Sequence, residues 1–108
     1  MDQEIRIIDQ FVDKTTGKPI TGTQYWAKVM DKDVFADDFI DAPSLDEEGR
    51  IDILSNLIVT GETTPDIYFV LLKDKKEIFR SDVFKNTVFM KPERPGEIST
   101  VDFGVFKV

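Results

Sequence analysis

The chain contains no cysteine and no histidine. Without cysteine it can form no disulfide, use no thiolate nucleophile and bind no zinc through sulfur. Without histidine, Ser-His-Asp triads and histidine-based zinc or iron centres are excluded as well. Catalysis would depend on a carboxylate pair or a buried lysine, and no segment marks a substrate cleft. We therefore expect a protein that is not an enzyme, with a carboxylate-based hydrolase as the remote alternative.

Basic charge and long hydrophobic runs are also scarce. The chain has 21 Asp and Glu residues against 14 Lys and Arg residues, which gives a net charge of -7. Such a chain repels phosphate groups, so nucleic acid is not an expected partner. The longest uncharged apolar run, residues 67–72, is too short to cross a bilayer, and we expect no membrane span.

The N-terminal residues have neither the basic region nor the apolar region of a signal peptide. This composition favours the cytoplasm. A chain that begins after a removed leader peptide would instead be secreted or attached to a surface. The cysteine content does not discriminate between these compartments, because a chain without cysteine is indifferent to the redox potential around it.

The 108 residues, 41% of them hydrophobic, fit a single domain, 1–108, with one core. Short β-branched or aromatic runs of period two alternate with turn residues, which is typical of strands. The predicted strands are residues 4–12, 24–30, 50–54, 66–73, 77–80, 87–90 and 99–108. No long helical stripe competes with them, and short helical turns are an alternative only within 34–40 and 81–85.

These strands predict an all-β fold, a two-sheet antiparallel β-sandwich of about seven strands, with a barrel as the alternative. Segment 66–73 is apolar on both faces, as expected for a central strand that is covered on both sides. Residues 73–76 predict a charged hairpin tip, and residues 31–48 a polar connection. The expected core includes Ile7, Trp26, Val29, Ile53, Ile67, Phe69, Leu71, Val101 and Phe103.

Four pieces of sequence, in a fixed order, resemble the transthyretin-like and carboxypeptidase-regulatory-like domains. They are residues 13–22 (DKTTGKPITG), the acidic residues of 31–40, residues 46–51 (DEEGRI), and residues 65–70 (PDIYFV) together with 81–86 (SDVFKN). Together they cover most of the chain. The resemblance implies an immunoglobulin-like sandwich of the kind that is appended to enzymes, surface proteins or secretion machinery.

Several activities known among such sandwiches are absent here. The hydroxyisourate hydrolases use histidines and a C-terminal Tyr-Arg-Gly-Ser, whereas this chain has no histidine and ends in FGVFKV. Intradiol dioxygenases bind iron through two histidines and two tyrosines, so the absence of histidine excludes their activity as well. CnaB-like domains link a first-strand lysine to a last-strand asparagine, and neither residue is present in these strands. What remains is a non-catalytic binding or scaffolding module, whose partner is another protein or a parent polypeptide.

An acidic loop carries the residues that most resemble a site. Calcium binds six to eight oxygen atoms at flexible geometry, and several carboxylates on one loop could supply four or five of them. The candidate ligands are Asp31, Asp33, Asp37, Asp38 and Asp41. Segment 31–41 (DKDVFADDFID) also resembles the third calcium loop of C2 domains, but Asp41 stands where those domains usually have glycine. The favoured interpretation is a solvated loop, with calcium-dependent binding as the alternative.

Two phenylalanines, Phe35 and Phe39, lie in the same acidic loop, four residues apart. They either plug the end of the sandwich or contact a partner, and they are the candidate interaction residues. No other cofactor is expected. The three lysines at 73, 75 and 76 are interpreted as a solvated tip that discourages strand addition at a sheet edge.

Overall fold

The computed structural model describes residues 2–33, 36–58, 66–85 and 98–108. In this part of the chain there is no helix, and seven strands form two sheets. The strands are β1 (Asp2–Val12), β2 (Tyr25–Asp31), β3 (Asp38–Asp41), β4 (Arg50–Ile58), β5 (Ile67–Lys73), β6 (Lys76–Arg80) and β7 (Ser99–Lys107). The prediction of an all-β, two-sheet sandwich is confirmed.

The two sheets differ in size and in strand direction. The three-stranded sheet has the order β4-β1-β7, and the four-stranded sheet has the order β3-β2-β5-β6. All neighbouring strands are antiparallel except β1 and β7, which run parallel. The first and the last strand are therefore neighbours, and β1 lies between two partners that come from distant parts of the chain.

The pairing of β1 with β7 contains a β-bulge. Ile8 pairs with Asp102 and Gln10 pairs with Val105, so two residues of β7 face the single residue between them on β1. Gly104 adopts a φ of 84°, and its N–H donates to the Asp102 carboxylate at 2.8 Å. This left-handed conformation favours glycine, and Gly104 is the second of the two bulged residues, after Phe103.

The core lies between the two sheets, and side chains alternate into it from each strand. Its buried members are Ile5, Ile7, Phe11, Ala27, Val29, Ile51, Ile53, Ile67, Phe69 and Leu71. Six aromatic rings form what we call the phenylalanine cluster: Phe11, Phe69, Phe79, Phe84, Phe103 and Phe106. The ring centroids of contacting pairs are 5.0–6.5 Å apart. Edge-to-face and tilted arrangements dominate, as the ring quadrupole favours.

The prediction that Trp26 belongs to the core is wrong. Trp26 is 45% exposed, because the alternation of β2 directs Ala27 and Val29 into the core and Trp26 away from it. The other expected core residues are buried, except that Val101 and Phe103 are half-buried and pack against the core. Tyr68 and Val70 are also buried, so the prediction that β5 is covered on both faces is confirmed.

The loops bring one correction and one confirmation. Part of the predicted polar connection forms the short edge strand β3, and no helical turn is described within 36–40 or 81–85. The predicted hairpin tip is confirmed, because Asp74 and Lys75 both have positive φ, 50° and 68°, as in a two-residue primed turn. The predicted strand 87–90 lies outside the described residues.

Candidate functional site

The acidic loop connects two neighbouring strands at one edge of the four-stranded sheet. Strand β2 ends at Asp31 and strand β3 begins at Asp38, and these two residues pair with each other across the ladder. Asp41 lies at the far end of β3, where it pairs with Val29. Phe35, one of the candidate interaction residues, lies outside the described residues.

The carboxylates of the loop accept hydrogen bonds from nearby donors. Asp31 accepts the backbone N–H of Asp66 at 3.0 Å, and Asp41 accepts that of Ala42 at 2.7 Å. Asp37 accepts the N–H of Asp33 at 3.3 Å through one oxygen and the hydroxyl of Tyr68 through the other. The contacts with Asp66 and Tyr68 fasten the loop to the sheet, and all four contacts use oxygen atoms that a bound cation would also need.

The pKa values of two of these carboxyl groups are shifted in opposite directions. Partial burial raises the pKa of Asp31, and the neighbouring carboxylates of Asp38, Asp66 and Asp33 add to this effect. The hydrogen bond from the Tyr68 hydroxyl lowers the pKa of Asp37. Asp37 is therefore anchored as an anion, whereas ionised Asp31 is disfavoured by its surroundings.

The five candidate calcium ligands are not brought to one point. Among the residues that the structure describes, no group of three or more Asp, Glu, His or Cys side chains is placed to hold a metal ion. Asp31 and Asp38 lie together, while Asp37 points to Tyr68 and Asp41 lies at the end of β3. Calcium binding by this loop stays a prediction.

A second feature is the outer face of the four-stranded sheet, the face directed away from the core. The ladder places Trp26 opposite Leu72, and Met30 between Phe39 and Tyr68. Trp26 is 45% exposed and Phe39 is 61% exposed. Phe39 therefore does not plug the end of the sandwich but lies on this apolar surface. We call this set of five residues the outer-face patch; Trp26 and Phe39 are its exposed members, Met30 and Leu72 are half-buried, and Tyr68 is buried.

Charged groups border the outer-face patch. The guanidinium of Arg80 lies 5.3 Å from the centroid of the Tyr68 ring and donates to Glu77 at 2.8 Å. Burial, together with the hydrogen bond to Asp37, raises the pKa of Tyr68, so its hydroxyl stays protonated and donates. Tyr68 thereby joins the acidic loop to the outer-face patch.

A buried acid was missed by the sequence interpretation. Asp9 is 0% exposed, and neither of its carboxyl oxygens has a hydrogen-bond partner in the described part of the chain. Burial, with a smaller contribution from the Asp102 carboxylate, raises the pKa of Asp9 to about 8. The alternation of β1 carried the signal, since Ile5, Ile7, Asp9 and Phe11 share one face.

One shallow hollow of about 220 Å³ lies between residues 21–23 and 44–47. Its lining includes the side chains of Asp46 and Glu47. One Asp46 oxygen accepts the N–H groups of Glu48 and Arg50, both at 2.8 Å, and so holds the turn before β4. These hydrogen bonds stabilise the turn. The described residues that line the hollow include no basic side chain beside the two acids. Residues 2–33, 36–58, 66–85 and 98–108 contain no helix that is long and apolar enough to cross a membrane.

Comparison with known proteins gives a fold likeness and no family. No protein-family model matches the chain, and no curated protein matches it. Among solved structures, the chain is similar to part of the crystal structure of a 9R-lipoxygenase from Cyanothece PCC8801, with a TM-score of 0.57 and 18% sequence identity. The match covers 98% of this chain but 16% of the lipoxygenase chain. At this identity the likeness shows the fold alone.

Proposed function

We propose that the chain is a non-catalytic binding or scaffolding module that contacts a protein surface through the outer-face patch. The observation that carries this proposal is the exposure of Trp26 and Phe39 on one sheet face of a strongly charged chain. Large aromatic side chains are enriched at the centres of protein interfaces, and exposed apolar patches of this kind mark interaction sites. Glu77 and Arg80 on β6 supply a polar rim, and Lys28 lies within the face, between Trp26 and Met30.

The patch is also organised for binding before a partner arrives. Tyr68 and Val70 are already buried, and Arg80 is held by Glu77, so few side chains need to be ordered on contact. Only the exposed rings of Trp26 and Phe39 would lose rotamer freedom.

We further propose that the sandwich is of the transthyretin-like class. Two of the motifs behind that resemblance, residues 13–22 and 46–51, contain turns that are held by an aspartate and include a glycine with positive φ. Asp13 accepts the N–H groups of Thr15 and Thr16 at 2.8 and 2.9 Å, and Gly17 adopts a φ of 74°. Asp46 holds the second turn, in which Gly49 adopts a φ of 71°. Both turns lead into loops that join strands of different sheets.

The likeness to the lipoxygenase supports the modular part of the proposal. There, a fold similar to this chain forms a small part of a much longer polypeptide. A sandwich that is carried within a larger protein needs a face that contacts the neighbouring domain. The outer-face patch has the aromatic character that such a contact requires, and the role of a module depends on what carries it.

The test is affinity enrichment from a lysate of the source cells, with three immobilised proteins. A double variant, Trp26→Ser with Phe39→Ser, removes the exposed rings without touching the core. The matched control is Leu54→Ser, since Leu54 is 54% exposed but lies on β4 in the other sheet. We expect one set of proteins to be retained by the wild type and by the control, and lost by the double variant.

Equal retention by all three proteins would exclude the outer-face patch as the binding surface. The non-catalytic part has its own test, which is a screen of the purified chain against glycoside and ester substrates. Turnover that disappears when a single aspartate is changed to asparagine would show a carboxylate-based hydrolase and overturn the proposal.

A further inference from the structure

The outer edge of β7 is a long strand edge without a partner among the described residues. Among the described strands, the sheet order β4-β1-β7 gives β7 a neighbour on one side, and the strand runs for nine residues, Ser99–Lys107. An edge strand presents a row of unpaired N–H and C=O groups that can pair with another strand. Proline, one common means of blocking such an edge, is absent from β7.

The side chains of β7 divide between two faces. Val101, Phe103 and Phe106 are half-buried and pack against the core, and the two phenylalanines belong to the phenylalanine cluster. Asp102, Val105 and Lys107 are exposed on the other face. The bulge at Gly104 lies between the two halves of the strand and restores the same alternation on each side of it.

This arrangement is self-complementary in one antiparallel register. When the two-fold axis passes between Gly104 and Val105, Phe103 of one copy lies opposite Phe106 of the other. In the same register, Asp102 lies opposite Lys107 of the second copy, once on each side of the axis. Inward-facing residues then meet inward-facing residues, and an acid meets a base, as cross-strand pairs favour. Neither Asp102 nor Lys107 takes part in an ion pair within the described residues.

We propose that two copies of this chain associate by antiparallel pairing of β7 with β7 about an axis between Gly104 and Val105. The two three-stranded sheets then form one continuous sheet across the dimer. Such a contact is isologous, because the same residues serve both copies, and it closes after two. The half-buried rings of Phe103 and Phe106 become covered, and the edge N–H and C=O groups of β7 that have no partner among the described strands become paired. This dimer edge is separate from the outer-face patch.

A charge-swap series tests the register. Asp102→Lys places two lysines opposite each other on each side of the axis, and Lys107→Asp places two aspartates there. Each single variant should weaken the dimerisation constant, measured by sedimentation equilibrium, by about tenfold or more. The double variant restores opposite charges and should dimerise nearly as well as the wild type. Glu47→Lys and Lys75→Asp, exposed and distant in the chain, are the matched controls and should leave dimerisation unchanged.

A single introduced cysteine gives a second, geometric readout, since the chain has none of its own. In the proposed register the two copies of residue 105 lie about 6 Å apart, within reach of a disulfide, whereas the two copies of residue 100 lie about 30 Å apart. Val105→Cys should therefore form a cross-linked dimer on mild oxidation. Thr100→Cys, exposed on the same strand, should not.

Several results would overturn the proposal. They are a wild type that stays monomeric at millimolar concentration, single variants that dimerise like the wild type, a double variant that fails to recover, or equal cross-linking of both cysteine variants. Asp102 also accepts the Gly104 N–H, so Asp102→Lys is accompanied by a thermal melt. If that variant unfolds, Lys107→Asp and the cysteine pair decide the question alone, because the side chains that they replace are exposed.

Discussion

Phe69 joins the two sheets through its contacts with two aromatic rings of β7. It lies on the central strand β5, is fully buried, and its ring is 5.0 Å from that of Phe103 and 5.4 Å from that of Phe106 on β7. It also contacts Phe84 across 6.5 Å. Removing this ring would leave a cavity that its neighbours, fixed on different strands, can fill only in part.

We therefore expect Phe69→Ala to lower the free energy of unfolding by about 3 to 5 kcal/mol, which is a large part of the stability of a small domain. Phe39→Ala is the matched control, because Phe39 is exposed and its truncation should cost less than about 1 kcal/mol. Urea titration followed by fluorescence measures both variants. Equal losses for the two variants would contradict the assignment of the core.

Asp9 is the second residue with a large energetic role. A carboxyl group that is fully buried in an apolar core remains protonated, because ionisation there is costly. Its pKa is about 8 in the folded chain, against an ordinary value of 3.8 that applies when the chain is unfolded. Between these two values the folded state holds a proton that the unfolded state has released.

The direction in which the free energy of unfolding changes with pH follows from this linkage. The stabilising contribution of Asp9 is fully present below about pH 4 and is lost as the pH rises towards 8, with a slope of at most about 1.4 kcal/mol per pH unit. Asp9→Asn cannot titrate, so its stability relative to the wild type should rise by up to about 3 kcal/mol between pH 5 and pH 7. Urea unfolding at several pH values measures the difference. Parallel curves for the two proteins would show that Asp9 does not titrate abnormally.

At the scale of elements, the strands that are buried on one or both faces were predictable. The alternation in β1 and β4, the apolar run of β5 and the charged tip before β6 each carry a clear period or turn signal. Strand β3 has no such signal. It contains four residues at a sheet edge, two of them aspartates, and it forms because the ladder with β2 pairs its backbone.

The candidate site was predictable in part, for reasons that also lie in the elements. The sequence identified Phe39 as an interaction candidate, but not its place on the outer face, which depends on the pairing of β3 with Met30. Trp26 was placed in the core because a large aromatic residue is usually buried there. Its neighbours Ala27 and Val29 have the smaller side chains, and the alternation of the strand, not residue size, determined which face was buried.

The acidic loop leads to a prediction about calcium. Because its carboxylates already accept local hydrogen bonds and do not converge, we expect at most weak, roughly millimolar binding. A thermal melt with a few millimolar calcium, and with magnesium as the control, should therefore show little calcium-specific change. A calcium-specific increase of more than roughly ten degrees would contradict this expectation. Its loss in the double variant Asp31→Asn with Asp33→Asn would assign the site to this loop.

At the scale of the whole molecule, the three-stranded sheet is assembled from the two ends of the chain. Its central strand β1 is the first in the sequence, and it pairs with β7, the last. The four-stranded sheet, by contrast, contains the tight hairpin of β5 and β6. Closing a long loop costs more entropy than closing a hairpin, so pairing between the chain ends is expected to be late and folding to be slow.

The order of assembly can be tested with one substitution at two matched positions. Phe79 in β6 and Phe106 in β7 are both half-buried members of the phenylalanine cluster, and their ring centroids are 5.8 Å apart. Refolding of the wild type should take milliseconds to seconds, as in other β-sandwiches. If β6 packs against β1 before β7 docks, Phe79→Leu should slow folding more than Phe106→Leu does, and Phe106→Leu should mainly accelerate unfolding. Stopped-flow chevron plots separate the two effects. The opposite partition would mean that the pairing of β1 with β7, despite its long loop, is the nucleus of the fold.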